Sequence, residues 1–145
     1  MRAIVVGAGA ISNAWFPAIA ENQVEVAAMV DIHPEQARAQ AQKYDLGEVK
    51  IFTALDEALE KVTADVAIDL TPPSVHCRTI CRSLEAGLHV IGEKPMAESL
   101  ADCRRMCDTA DRVGRLYMVS QSRRYDTRHQ QIADTVSSGV IGQIT

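Results

Sequence analysis

The sequence has no excess of positive charge, no long apolar run and no repeated or low-complexity segment. Its 15 Lys and Arg residues against 19 Asp and Glu residues give a net charge of −4, which argues against nucleic acid or an anionic membrane as the main partner. No apolar run approaches the roughly 18 residues of a membrane span. The opening residues, MRAIVVGAGA, lack the cleavage pattern of a signal peptide. We therefore expect a cytoplasmic protein without a membrane segment.

Cysteine is also scarce, and its spacing is ambiguous. The four cysteines form two i,i+4 pairs that could hold zinc or an iron–sulfur cluster, although structural zinc sites more often use tighter spacings near turns. Each pair also fits an apolar stripe on a helix, where free Cys packs as a small hydrophobe. The two stripes are Cys77, Ile80, Cys81 and Leu84, and Leu100, Cys103, Cys107 and Ala110. We predict cysteines that are reduced, largely buried and free of metal.

What is present is the composition of one ordinary globular domain, with 47% hydrophobic and 23% charged residues in 145. Apolar segments rich in β-branched residues alternate with segments of helical periodicity. The predicted strands are residues 3–6, 24–31, 49–52, 64–71, 88–92 and 116–120, with a helix after each. This alternation predicts an α/β fold, a doubly wound, mostly parallel six-stranded Rossmann sheet with helices on both faces.

Several residues predict where helices begin and end. Ser74 and Ser99 are candidate N-caps, and Gly87 and Gly114 are candidate terminators of the two helices that these serines begin. Pro17 lies inside the first helical segment, so we expect it to kink that segment or to confine it to an early turn.

A glycine-rich turn follows the first strand. Gly7, Gly9 and Ser12 resemble the G-x-G-x-x-G fingerprint, in which the glycines allow a tight turn and close approach of a pyrophosphate. The Ser12 hydroxyl could also donate to a phosphate oxygen. Asp31 ends the second strand, where a carboxylate accepts the adenosine ribose hydroxyls and repels a 2′-phosphate. The pattern predicts NAD as cofactor, with NADP less favoured.

Two further motifs fall at the same edge of the sheet. Thr71 and Pro72 end the fourth strand, in the crevice where ligands of such sheets bind, although the prolines could simply stop the strand. His76 follows in the next helix and either faces the cofactor or is solvated. Glu93 and Lys94 follow the fifth strand. Lys94 could bind a substrate hydroxyl and pass its proton, with Glu93 orienting it or accepting from a ribose, unless the pair is an ordinary surface turn.

These motifs together resemble the glucose–fructose oxidoreductase/inositol dehydrogenase (Gfo/Idh/MocA) family, and the EKP at 93–95 is the most specific part. The resemblance also covers the tail from SQSRRY to GVIGQI, where Arg124 and Tyr125 match the family's Arg-aromatic pair. It implies an oxidoreductase that acts on a sugar, cyclitol or related polyol, with Lys94 as the catalytic lysine. The implied cofactor-binding residues are Gly7, Gly9, Ala10, Ile11, Asp31, Thr71, Pro72, His76, Glu93, Lys94 and Gln121.

The resemblance also sets expectations for domain organisation. Residues 1–120 would form the NAD(P)-binding domain, and residues 121–145 a linking helix and the first residues of a substrate domain, with a strand opening at Ile144. On its own the chain would bind cofactor but hardly turn over substrate, and the full-length form is compatible with a homo-oligomer. A freestanding NAD-binding or redox-sensing module is the alternative. Another two-domain reductase, of the dihydrodipicolinate or biliverdin reductase type, is disfavoured by EKP.

Overall fold

The computed structural model of the protein describes residues 1–143, and in these residues strands and helices alternate from Arg2 onward. The strands are β1 (Arg2–Val6), β2 (Glu25–Val30), β3 (Lys50–Phe52), β4 (Val66–Asp69), β5 (His89–Gly92) and β6 (Tyr117–Val119). The helices are α1 (Ser12–Glu21), α2 (Pro34–Lys43), α3 (Leu55–Lys61), α4 (Pro73–Glu85), α5 (Leu100–Val113) and α6 (Thr127–Ser137), with a 3₁₀ helix at Ser122–Tyr125.

The six strands form one sheet in the order β3-β2-β1-β4-β5-β6, and every neighbouring pair is parallel. This is the strand order of the doubly wound dinucleotide-binding fold, so the fold prediction is confirmed. The order reverses between β1 and β4. The carboxyl ends of these two strands therefore border the crevice in which such sheets bind ligands.

Helices cover both faces of the sheet. Successive side chains of a strand point to opposite faces, so each strand packs against helices on both sides. On one face, strand residues such as Ile4, Ala67 and Val90 pack against α3, α4 and α5. On the other face, Val5 and Met29 are among the residues that pack against α1 and α2. The strands are consequently apolar at nearly every position, as parallel strands buried on both sides must be.

The structure confirms one predicted helix start and corrects the other. Ser99 is the N-cap of α5, since its side chain accepts a hydrogen bond from the backbone N–H of Asp102 at 3.1 Å. Helix α4 instead begins two residues earlier than predicted, with Pro72 rather than Ser74 in the N-cap position and Pro73 as its first residue. Proline suits that position because the N–H it lacks would have no partner there and its φ is already helical. The prediction that Ser74 caps α4 is therefore wrong.

Helices α4 and α5 end at the glycines that the sequence predicts as terminators. Gly114 adopts a left-handed conformation, with φ 64°, directly after α5, and Gly87 has φ 90° just beyond α4. The prediction that Pro17 confines the first helical segment to an early turn is wrong, because α1 continues past Pro17 to Glu21. The Asn13 carbonyl, which an N–H at position 17 would otherwise reach, accepts from the Tyr44 hydroxyl at 3.3 Å.

The cysteines are free thiols, but their burial was only partly predicted. Cys81 is buried and Cys77 and Cys103 are half-buried, whereas Cys107 is exposed. In the predicted stripe of α5, Ala110 is buried as expected but Leu100 is exposed, and Met106, which lies outside that stripe, is fully buried, so the helix is rotated relative to the prediction. Desolvation raises the pKa of Cys77 to about 12, which keeps its thiol protonated. Among residues 1–143, no cluster of three or more His, Cys, Asp or Glu side chains could hold a metal ion.

The end of the chain lies apart from the sheet. Every residue from 127 to 143 is exposed, and α6 contacts chiefly the 3₁₀ helix that precedes it. Gly139 and Gly142 lie at the two ends of a turn, with the Gly142 N–H donating to the Gly139 carbonyl at 2.9 Å. The strand predicted to open at Ile144 falls outside the described residues. Within the described part of the chain, no helix combines the length and apolar character that crossing a membrane requires.

Candidate functional site

A cleft of about 770 Å³ opens at the carboxyl ends of the strands, where the strand order reverses. Seven of the predicted cofactor-binding residues line it, from three different loops: Gly7, Gly9, Ala10, Ile11, Asp31, Thr71 and Pro72. Glu93, Lys94 and Gln121 are not among the residues that line it. They follow the next strands of the sheet, β5 and β6, so they lie toward one end of the cleft.

The glycine turn is shaped by two different requirements. Gly7 has φ 97°, and a Cβ added there would lie 2.8 Å from the Leu70 carbonyl carbon, so no larger residue fits. A Cβ at Gly9 would meet no atom within 4 Å, which means that its surface is open. Gly9 also lines the cleft, and its open backbone fits the close approach of a pyrophosphate that the fingerprint requires.

Ser12 serves the turn rather than the cleft. Its side chain is fully buried, and its hydroxyl donates to the Gly9 carbonyl at 2.7 Å. Because a hydroxyl carries a single proton, that bond uses the donor that we expected to reach a phosphate oxygen. The expectation of a phosphate contact from Ser12 is therefore wrong, although the small size of serine still allows α1 to approach β1 closely.

Asp31 joins the glycine turn to the start of α2. One carboxylate oxygen accepts from the Ala8 N–H at 2.6 Å, and the other accepts from the His33 N–H at 2.8 Å. A carboxylate offers about four acceptor positions, so lone pairs remain for ribose hydroxyls in the cleft that Asp31 lines. The acid thus has the location and the acceptor capacity expected for an adenosine ribose.

The loop after β4 is held by a buried acid that sequence reasoning did not single out. Asp69 is fully buried, and one of its oxygens accepts from both the N–H and the hydroxyl of Thr71, at 3.1 and 2.6 Å. Desolvation raises the pKa of Asp69, against the opposing effects of the Thr71 hydrogen bonds and the charge of His76. The Thr71 hydroxyl is committed as a donor but can still accept from a ligand.

His76 lies neither in solvent nor at the cleft surface. It is fully buried, and its Nε2 lies 2.7 Å from the Thr71 carbonyl oxygen. Its Nδ1 lies 3.0 Å from the Pro95 carbonyl oxygen and 3.3 Å from that of Met96. The prediction of a solvated side chain is wrong. Direct contact with a cofactor is also excluded in this arrangement, because both ring nitrogens are engaged and no ring surface is accessible.

Glu93 orients the loop that carries Lys94. One carboxylate oxygen accepts from the Trp15 indole N–H at 2.7 Å, and the other accepts from the Lys94 backbone N–H at 3.0 Å. These bonds favour the orienting role over the alternative of a ribose acceptor. Lys94 itself is exposed, with its peptide bond to Pro95 in the cis form.

Two other groups of the site were not predicted. Arg78 and Arg82 line the cleft from α4, and Arg82 forms an ion pair with Asp56. Their i,i+4 spacing beside Val75 and Thr79 is a signal that could have placed them on one face. Trp15 had no such signal, since its partner Glu93 lies 78 positions away in the sequence.

Comparison with known proteins adds a family to this geometry. Residues 1–121 match the family model of the Gfo/Idh/MocA oxidoreductases, described as an oxidoreductase family with an NAD-binding Rossmann fold. D-glucoside 3-dehydrogenase of Escherichia coli (strain K12) is 32% identical over 146 residues, which cover 99% of this chain and 41% of that protein.

Solved structures of similar proteins contain dinucleotides. The WlbA dehydrogenase from Bordetella pertussis, solved with NADH and UDP-GlcNAcA, has a TM-score of 0.87 and 29% identity, and the match covers 99% of this chain and 43% of that one. KijD10, a 3-ketoreductase from Actinomadura kijaniata solved with NADP and TDP-benzene, has a TM-score of 0.87 and 30% identity, covering 99% and 44%. This chain therefore spans about two fifths of the length of the proteins that it matches.

Proposed function

The chain belongs to the Gfo/Idh/MocA oxidoreductase family, whose NAD-binding Rossmann domain it contains, and from this premise we propose that the whole protein transfers hydride between NAD and a sugar, cyclitol or related polyol. The observation that carries the proposal is the open Gly9 backbone and the Asp31 carboxylate lining one cleft, with Lys94 in the loop after β5, the strand next to β4. Asp31, Gly9 and Lys94 follow β2, β1 and β5, so the adenosine ribose, the pyrophosphate and the reacting group would be held in the order in which they occur along the cofactor.

NAD is the proposed preferred form of the cofactor. A 2′-phosphate would lie against Asp31, and like charges at hydrogen-bond distance are strongly unfavourable. The Ala8 and His33 N–H groups hold the carboxylate in place, so it could turn away from a phosphate only by giving up two hydrogen bonds. This argument supports a preference for NAD and leaves weaker binding of NADP allowed.

Lys94 is the proposed catalytic residue. NAD, when bound, supplies the acceptor for the hydride that leaves the substrate carbon. The Lys94 amine would take the proton of the same carbon's hydroxyl, so that the alcohol becomes a carbonyl, and would return it in the reverse direction. Glu93 supports this role because its carboxylate fixes the Lys94 backbone. Gln121, just after β6, would flank the nicotinamide side.

The substrate would be held by a domain beyond the described residues. The chain spans about two fifths of its relatives' length, and we propose that residues 1–120 are the cofactor domain and residues 121–145 the link to a substrate domain. A sugar-type substrate is supported by the names of the relatives. We expect the whole protein to be cytoplasmic and to need neither nucleic acid nor membrane, and the proposal is compatible with a homo-oligomer.

Calorimetric titration of the chain with NADH and NADPH tests the cofactor proposal. We expect tighter binding of NADH, and we expect Asp31→Ser to narrow the difference by about 1–2 kcal/mol, the scale of a charge-assisted hydrogen bond. Asp108→Ser, which removes an exposed acid from α5, is the matched control and should leave the difference unchanged. Equal affinities for the two cofactors, or a difference unmoved by Asp31→Ser, would exclude Asp31 from the ribose site.

A further inference from the structure

We propose that Asp69 and His76 form a buried, oppositely charged pair that fastens the loop after β4 to the loop after β5 and thereby positions Lys94. The pair itself is independent of any cofactor. The statement that it serves catalysis, by fixing Lys94 against the nicotinamide end of the cleft, rests on the function proposed above. His76 is accordingly a positioning residue and not a catalytic one.

His76 bridges two loops that share no strand pairing or helix. It belongs to the first turn of α4, and its ring reaches the Thr71 carbonyl on one side and the Pro95 and Met96 carbonyls on the other. The ring is fully buried, so water does not compete for these bonds. The His76 ring therefore joins the two loops beyond the last backbone bond between them, which the Glu93 N–H donates to the Asp69 carbonyl at 3.0 Å.

The partners of the ring determine how many protons it carries. Backbone carbonyls only accept hydrogen bonds, and a neutral imidazole has one N–H donor and one acceptor nitrogen. At 2.7 Å and 3.0 Å, both ring nitrogens of His76 lie at hydrogen-bond distance from carbonyl oxygens. Both contacts are satisfied only when both nitrogens carry a proton, and His76 is then a cation.

A buried cation requires a compensating charge, because its transfer from water is costly when it stays unpaired. We assign that charge to Asp69, which is fully buried and, like His76, bonds to Thr71. Desolvation raises the pKa of Asp69, and the charge of His76 acts in the opposite direction. Among the described residues, Asp69 Oδ2 has no hydrogen-bond partner, and attraction by a His76 cation would offset part of the cost of burying this oxygen. Each charge of the pair thus lowers the free-energy cost of burying the other.

The two charges also hold Thr71 from opposite sides. Asp69 accepts from its N–H and hydroxyl, while His76 donates to its carbonyl. On the other loop, Lys94 lies between two anchored neighbours, since Glu93 is bound to Trp15 and the Pro95 carbonyl is bound to His76. The backbone of Lys94 is therefore fixed on both sides, once by α1 and once by α4.

Nitrogen NMR of the protein without cofactor tests the charge pair directly. With ¹⁵N-labelled histidine, we expect His76 to show two hydrogen-bonded N–H groups. His89 is the internal reference in the same spectrum, because its Nδ1 accepts from the Leu116 N–H at 3.0 Å and must lack a proton. Asp69→Asn should remove one of the two His76 signals. Asp65→Asn, an equivalent change just before β4 at the opposite edge of the sheet, should leave both in place.

Kinetics of the whole protein test what the pair does. We expect Asp69→Asn to lower kcat by about 100-fold, the scale of a misplaced catalytic group, while KM and NADH affinity change little. A purely structural role would lower thermal stability without this split between kcat and KM. Should Asp69→Asn fail to fold, His76→Gln, which retains one donor, is expected to show the same split.

The outcomes separate the two proposals. A single proton on His76 in the unmodified protein overturns the charge pair, whatever the cofactor results. Two protons together with an unchanged kcat in both variants overturn the positioning role. Failure of the unmodified protein to bind NADH overturns the function proposed above and leaves the NMR result on the pair standing.

Discussion

Three carboxylates of the site form hydrogen bonds to the backbone of the site's loops in the absence of any ligand. Asp31, Asp69 and Glu93 each accept a hydrogen bond from the backbone N–H of a loop at the carboxyl edge of the sheet. Hydrogen bonds to a charged acceptor contribute about 1.5–3 kcal/mol each. These side chains therefore fix the loops in advance, so that less ordering is required when a ligand binds.

Lys94 is the residue at which the proposed chemistry is most directly tested. In the whole protein, we expect Lys94→Ala to lower kcat by at least about 100-fold, the lower range for loss of a general acid–base group, while NADH binds nearly as before. Steady-state kinetics and calorimetric titration measure the two effects. Lys61→Ala is the control, because Lys61 pairs with Glu57 on the surface of α3.

Turnover that survived Lys94→Ala would make EKP a surface turn and would remove the catalytic part of the proposal. The cofactor part would remain, since it depends on Gly9 and Asp31. A loss of NADH affinity as large as the loss of kcat would instead make Lys94 a cofactor-binding residue.

Whether a site residue could be predicted depends on whether the neighbouring sequence determines its position. Gly7 and Asp31 were recognisable because each directly follows a strand that sequence periodicity identifies. The Trp15–Glu93 bond could not be predicted, because only tertiary folding brings α1 against the loop after β5. His76 was placed on the right helix, but its direction depends on two loops whose path the sequence does not reveal.

At the scale of elements, the two helices predicted to begin at serine differ in what holds their first turn. Ser99 both accepts from the Asp102 N–H and donates to the Asp102 carboxylate, at 3.1 and 2.7 Å. Ser74 lies after two prolines that already satisfy the start of α4. A serine before a helical segment is therefore ambiguous when proline precedes it.

The difference has a measurable consequence for stability. We expect Ser99→Ala to lower the free energy of unfolding by about 1 kcal/mol, the usual cost of losing an N-cap. Ser74→Ala is the matched control and should change it by less than about 0.5 kcal/mol, as exposed substitutions usually do. Urea denaturation followed by circular dichroism gives both values. Equal effects of the two substitutions would contradict the assignment of the caps.

The buried face of α5 was also predicted incorrectly, because the sequence allows more than one choice. The predicted stripe through Leu100, Cys107 and Ala110 and a stripe through Met106 and Ala110 are both consistent with helical spacing in this segment. Packing against α4 and the sheet selects the second, in which Met106 is fully buried. Periodicity shows that a helix forms but does not settle its rotation when apolar residues occur on more than one face.

For the whole molecule, the main contrast is between the layered body and the exposed end of the chain. Residues 127–143 bury no side chain against the sheet or its helices, although Ile132 and Ile141 are apolar. The 3₁₀ helix that leads to them contains exposed Arg123 and Arg124. Among residues 1–143, those that line the cleft lie between positions 6 and 82, well before this segment.

Limited trypsin digestion should therefore separate the two parts. We expect first cleavage after Arg123, Arg124 or Arg128, and we expect the remaining fragment to keep its circular dichroism spectrum and its NADH affinity. Mass spectrometry identifies the cleavage points. Arg38 and Lys43 on α2 are internal controls that should be cut more slowly, because α2 packs against the sheet. Loss of NADH binding in the fragment would contradict a cofactor domain that ends near residue 120.

The contact between Trp15 and Glu93 has an optical consequence. Trp15 is the chain's single tryptophan, so its emission originates at one place, and its indole N–H is bonded to the acid that precedes Lys94. Reduced nicotinamide absorbs where indole emits. Quenching of Trp15 by energy transfer thus reports arrival of the nicotinamide, and its emission wavelength reports whether the Glu93 bond survives. Trp15 is therefore an intrinsic fluorescent probe of the loop that holds Lys94, and no added label is needed.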